Sequence, residues 1–89
     1  MKAVITVIGK DNVGIIAGVS SLCAECNANI IEITQNVLTE YFAMIMSVDI
    51  KNINLPFSEF SEKLELWGKE KGLEIRALHE DIFNIMHRI

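Results

Sequence analysis

The sequence predicts an α+β sandwich of element order β-α-β-β-α-β. Its four strands form one antiparallel sheet, two helices lie on one face, and a short C-terminal helix follows. Three observations carry this reading. A β-branched run, Ala3-Val4-Ile5-Thr6-Val7-Ile8, passes through a loop bracketed by Gly9 and Gly14 into a helical repeat. Two alternating segments, 30–38 and 41–50, meet at Thr39-Glu40. A second helical repeat between Pro56 and Gly72 leads into a final alternating run, Leu73 to Leu78. Strands repeat every two residues and helices every 3.6, which is the basis of each assignment.

The first strand is apolar on both faces, Ile5 and Val7 on one and Val4 and Ile8 on the other. The first helix begins near Gly14. Ile15, Val19, Leu22, Cys23 and Cys26 form its apolar face, and Ser20, Ser21, Glu25 and Asn27 its polar face. Ala17 and Gly18 are small enough to let it approach the sheet closely. Asn27-Ala28-Asn29 ends it, because asparagine tolerates the left-handed backbone of a helix C-terminus. In the second strand Ile31, Ile33, Gln35 and Val37 share a face opposite Glu32, Thr34 and Asn36. Thr39-Glu40 forms a tight turn without the Asn-Gly or Asp-Gly pair that marks the strongest hairpins. In the third strand Phe42, Met44, Met46, Val48 and Ile50 oppose Tyr41, Ala43, Ile45, Ser47 and Asp49.

Lys51-Asn52-Ile53-Asn54 reads as a loop, and Pro56 suits the first turn of the second helix. Phe57, Phe60, Leu64 and Trp67 give that helix its apolar stripe, while Glu59, Glu62, Lys63, Lys69 and Glu70 give a solvated face. Gly72 closes it. This order is the ferredoxin-like split β-α-β arrangement. Residues 1–79 form one domain and 80–89 a helical extension. In the extension Ile82, Phe83, Met86 and Ile89 share a face, with Glu80 and Asp81 in the first turn, where the helix dipole favours acids. A helix this short is marginal alone, so it should dock on the open face of its own sheet or on a neighbouring subunit.

Composition bounds the function. Eighty-nine residues leave room for one core. With 51% hydrophobic residues and a mean hydropathy of +0.32, the chain is apolar for its size. Apolar residues on both faces of the first strand, and Ile45 opposite the methionines, call for a second covering layer, which implies a homodimer or higher homo-oligomer. No run approaches the roughly 20 apolar residues of a spanning helix, so no membrane role is expected. The N-terminal apolar run meets Lys10 and Asp11 at once and lacks a cleavage site, so it reads as a strand and not as a signal peptide. With two cysteines and no targeting segment, the expected setting is cytoplasmic and reducing. A net charge of −4 and scattered basic residues argue against direct nucleic-acid binding.

The chemistry concentrates in Gly9-Lys10-Asp11-Asn12-Val13-Gly14-Ile15. The free N–H groups of a helix's first turn favour an anion. Asp11 and Asn12 add polar side chains beside them. Anion-binding amides next to a carboxylate suit a zwitterion such as a free amino acid better than a phosphate.

These residues resemble an ACT domain, the small regulatory module that senses amino acids in many metabolic enzymes. The resemblance rests on the first strand entering Asp11-Asn12-Val13-Gly14-Ile15, and on Ile30-Ile31 opening the second strand after Asn29. Val13 stands where that family usually has proline. The whole chain is similar to small stand-alone ACT proteins related to the amino-terminal part of glycine-cleavage-system transcriptional repressors. Lys2 through Asp11, Tyr41-Phe42-Ala43-Met44 and the 80–89 tail carry that similarity.

The resemblance implies an effector held between subunits, by the first strand–helix loop of one and the start of the second strand of the other. The implied ligand-binding residues are Asp11, Asn12, Val13, Gly14 and Ile15, with Asn29, Ile30 and Ile31. Amides around Gly14 and Ile15 would hold a carboxylate and Asp11 an ammonium. Asn29 would hydrogen-bond either group, and Ile15 and Ile31 would shape the side-chain pocket.

Other readings stand beside these. Asp11 equally suits a helix cap. Cys23-Ala24-Glu25-Cys26 is a C-x-x-C, but it lies at the far end of the first helix on the apolar face. Two thiols fall short of the four ligands of a structural zinc site, so both read as core and no metal or cofactor is expected. Met44, Met46 and Trp67 read as packing, and His79 and His87 are isolated. No nucleophile, base and oxyanion donors occur at recognisable spacing, so no catalysis is expected. The expected function is regulatory binding of an amino-acid-like effector. The alternative is a protein-interaction or assembly module that has lost ligand binding.

Overall fold

The structure, a computed structural model, describes residues 1–10 and 13–86. Its elements are β1 (Lys2–Lys10), α1 (Ile15–Glu25), β2 (Asn29–Leu38), β3 (Tyr41–Asp49), α2 (Phe57–Lys71), β4 (Leu73–His79) and α3 (Glu80–Met86). The strands form one antiparallel sheet in the order β2-β3-β1-β4, so the fold is the ferredoxin-like sandwich expected from the sequence.

Register explains the core. Across β1, Ile5 lies opposite Met46 and Ala77, and Val7 opposite Met44 and Ile75. These rows face α1 and α2, and all six side chains are buried. Ile15, Val19 and Cys23 of α1 and Phe60 and Leu64 of α2 close the layer from above. Burying such side chains contributes about 1.5–3 kcal/mol each.

The helix ends follow from single residues. Gly14 stands at the N-cap of α1 with φ 90°, a conformation that costs glycine nothing. At the other end Asn27 adopts φ 60°. The Ala28 N–H donates to the Cys23 carbonyl at 2.8 Å, and the Asn27 N–H to the Ala24 carbonyl at 3.1 Å. That pair of bonds is a Schellman motif. The 51–54 loop stitches onto the same end: the Asn54 side-chain amide donates to the Glu25 carbonyl and the Asn27 amide to the Asn52 carbonyl, each at 2.8 Å. Pro56 takes the N-cap of α2, one place before the expected first turn, and its carbonyl accepts from the Glu59 and Phe60 N–H groups. Gly72 ends α2 in the left-handed conformation, as expected.

Three details depart from the sequence reading. Gly18 does not serve contact with the sheet: a Cβ there would come 2.0 Å from Trp67 Cζ2, so the glycine lets α1 close on the indole of α2. β2 carries a bulge between Ile30 and Glu32, which leaves Ile31 without an opposite residue. In α3 it is Glu80, Phe83 and Asn84 that face the sheet, while Ile82 stays exposed. The helix leaves β4 with no intervening residue, so the strand's exit sets its rotation.

That same geometry determines where the tail docks. Phe83 lies with Val4, Ile45 and Ser47 on the sheet face opposite α1 and α2, so α3 covers one end of its own open face. Val4 is buried there, while Ile8 at the other end of β1 remains exposed. His87, Arg88 and Ile89, expected to continue this helix, lie outside the described residues.

Candidate functional site

The expected site has two halves. The first is the start of α1. Gly14 caps the helix, and its carbonyl accepts the first intrahelical bond, from the Gly18 N–H at 2.9 Å. The N–H groups of Ile15, Ile16 and Ala17 have no carbonyl within the helix to bond to. Val13 and Gly14 are exposed, so this end opens to solvent. Asp11 and Asn12, the polar members of the half-site, lie outside the described residues. The Ile15 side chain is buried in the core, which leaves its backbone N–H as its available group.

The second half is the start of β2. Asn29 pairs with Asp49, Ile30 with Val48, and Ile31 is the unpaired residue of the bulge. Bulges re-aim side chains and end regular pairing. Asn29 is exposed and Ile31 is 48% exposed, whereas Ile30 is half-buried against the core.

Within one chain these halves do not meet. Lys2, Asp49 and Asn29 mark one end of the sheet, and Lys10, Tyr41 and Leu38 the other. The α1 loop leaves β1 at the Lys10 end, so the length of a strand separates the half-sites. At about 3.3 Å per residue that is roughly 25–30 Å.

β2 is an edge strand, and its residues 31–37 are all exposed. Ile33 and Val37 lie opposite Met46 and Phe42, so they extend the helix-side face beyond the cover of α1 and α2. Sequence periodicity identifies these residues as apolar, but not as uncovered. Strand order supplies that information, and no local signal in β2 encodes it.

The cysteine pair lies at the C-terminal end of α1, remote from the first half and three residues before Asn29 of the second. Cys23 and Cys26 are buried free thiols, as their place on the apolar face of α1 suggests. Burial, reinforced by the neighbouring Cys26, pushes the Cys23 thiol up to about 11. Burial also raises Cys26, against an opposing pull from Lys63. Neutral thiols this buried are poor nucleophiles and poor metal ligands. Among the described residues no three His, Cys, Asp or Glu side chains are placed to share a metal ion, and no helix is long and apolar enough to cross a membrane.

Comparison with known proteins agrees with the fold. Residues 2–77 match the ACT domain family, and the chain belongs to it. It is 48% identical over 88 residues to a UPF0237 protein of Methanocaldococcus jannaschii, covering 99% of this chain and 98% of that one. Among solved structures it is similar to an ACT domain protein from Streptococcus pneumoniae, with 37% identity and a TM-score of 0.79 over 100% of this chain and 97% of the other. A structure described as a glycine cleavage system transcriptional repressor shares the fold, with 24% identity and a TM-score of 0.72. That likeness covers 85% of this chain and 43% of the other.

Proposed function

We propose that this chain is a cytoplasmic regulatory protein that binds a free amino acid or a similar zwitterion between two copies of itself, with no catalysis of its own. The observation that supports this reading is that the exposed Val13 and Gly14 before α1 and the exposed Asn29 and Ile31 of β2 lie at opposite ends of one sheet. Antiparallel pairing of β2 with β2 of a second copy reverses the strand. It brings Asn29 and Ile31 of one copy to the end where the other's α1 begins. The same pairing covers Ile33 and Val37, whose exposure on an edge strand otherwise invites aggregation.

In this arrangement the α1 amides from Gly14 onward receive the carboxylate and Asp11 the ammonium. Asn29 of the second copy hydrogen-bonds the ligand, and Ile31 forms the wall against its side chain. Ligand bound better in the paired state shifts the population toward that state, and so changes the surface offered to a regulated partner.

Thermal melting of the protein against each of the twenty amino acids tests this. A ligand at a hundred times its Kd should add about 2.7 kcal/mol to stability. We expect the shift to vanish in both Asp11→Ala and Asn29→Ala while their melting without ligand stays near wild type. A flat panel at millimolar ligand sinks the effector reading and leaves the assembly-module reading, which the exposed apolar row of β2 also supports.

A further inference from the structure

The second edge of the sheet carries a pattern that is its own complement. β4 pairs with β1 along one side only, so its other side is the border of the sheet. Glu74 and Arg76 flank Ile75 and lie on the open face, each 67% exposed and 3.0 Å from one another. In an antiparallel pair of identical strands with Ile75 opposite Ile75, each Glu74 faces Arg76 of the other copy. Opposite charges in directly facing positions stabilise a strand pair, and like charges destabilise it.

The same axis acts on the helix side. Gly68 of α2 lies against Ile75, where a Cβ would come 2.8 Å from Ile75 Cγ1. A twofold axis through Ile75 therefore passes near the level of Gly68. Glu65 and Lys69 bracket that level and line a groove of about 540 Å³ between α2 and the border of β4. Rotation about the axis sets the α2 strips carrying Glu65 and Lys69 side by side in opposite directions. The charges of β4 thus become complementary under one operation, in a chain whose net charge of −4 gives self-association no general help. α3 leaves the border clear, because it turns from His79 across the open face toward Val4 and Ile45.

We propose that the border of β4 is an interface for a second copy of this chain, formed by twofold antiparallel pairing centred on Ile75. The occupant is a second copy because twofold interfaces require the self-complementary pattern seen here. This interface is separate from the β2 edge used by the proposed effector site, so a chain using both edges assembles beyond a dimer.

Charge reversal tests it without disturbing the core. Sedimentation velocity would be run on wild type, on Glu74→Arg, on Arg76→Glu and on an equimolar mixture of the two variants. Circular dichroism would confirm that each is folded. Either variant alone sets like charges opposite one another, and self-association should weaken roughly tenfold or more. The mixture restores opposite charges at every facing position, so the heavier species should return. Monomeric wild type, unchanged sedimentation of both single variants, or a mixture that fails to recover would each overturn the interface. No effector is present in these experiments, so their outcome is independent of the effector reading.

Discussion

Cys23 shows how one buried side chain ties stability to pH. Its thiol has a pKa of about 11 in the folded protein against 9.0 for an ordinary cysteine, because burial disfavours the thiolate. A group raised in the folded state contributes its full stability below its unfolded pKa and loses it as pH climbs through the folded one. The melting temperature should hold up to about pH 9 and fall between pH 9 and 11. Cys23→Ala lowers the whole curve by leaving a cavity, yet it should flatten the alkaline slope. An unchanged slope in that variant would remove Cys23 as the cause. Individual residues were also the level most legible from sequence. Asn27 and Gly72 were readable as helix ends because few residues tolerate positive φ, and Cys23 was readable as core because it repeats with Ile15 and Val19. The role of Gly18 was not readable, since its partner Trp67 lies 49 positions away and on another element.

Between elements, the contact at Gly18 sets how closely the two helices sit. A Cβ at 2.0 Å from the indole cannot be absorbed without moving Trp67 or separating α1 from α2. Gly18→Ala should therefore cost about 1–3 kcal/mol in urea unfolding, although alanine is the better helix former. Combining it with Trp67→Leu should recover part of that loss. Strict additivity of the two changes would show that they do not touch. Element order and strand alternation were fully readable, because period and capping are local properties. The rotation of α3 was not. Apolar spacing placed Ile82 with Phe83 on the buried face, but the direct junction with β4 turns Glu80, Phe83 and Asn84 to the sheet. The bulge at Ile31 escaped for a related reason: an extra residue in one strand is defined only by its partner.

At the scale of the whole molecule, sequence could list the candidate binding residues but not their separation. Gly14 and Asn29 are 15 positions apart along the chain, yet α1 carries the backbone from one end of the sheet to the other between them. Only strand order and direction reveal that the start of α1 and the start of β2 lie at opposite ends of the sheet, so the proposed site needs a second copy to be complete. A ligand shared across copies should then show affinity that depends on protein concentration. Titration calorimetry or melting at several chain concentrations should give an apparent Kd that tightens as protein rises. A constant value from well below to well above the dimer's own dissociation constant would mean that a single copy binds alone.

If the proposed effector site holds, the sheet that keeps its two halves apart also determines what the protein can report. With neither half sufficient, occupancy would follow the product of two abundances, the metabolite's and the protein's own. A cell could then retune the threshold of response without altering a single contact in the pocket, simply by making more or less of the chain.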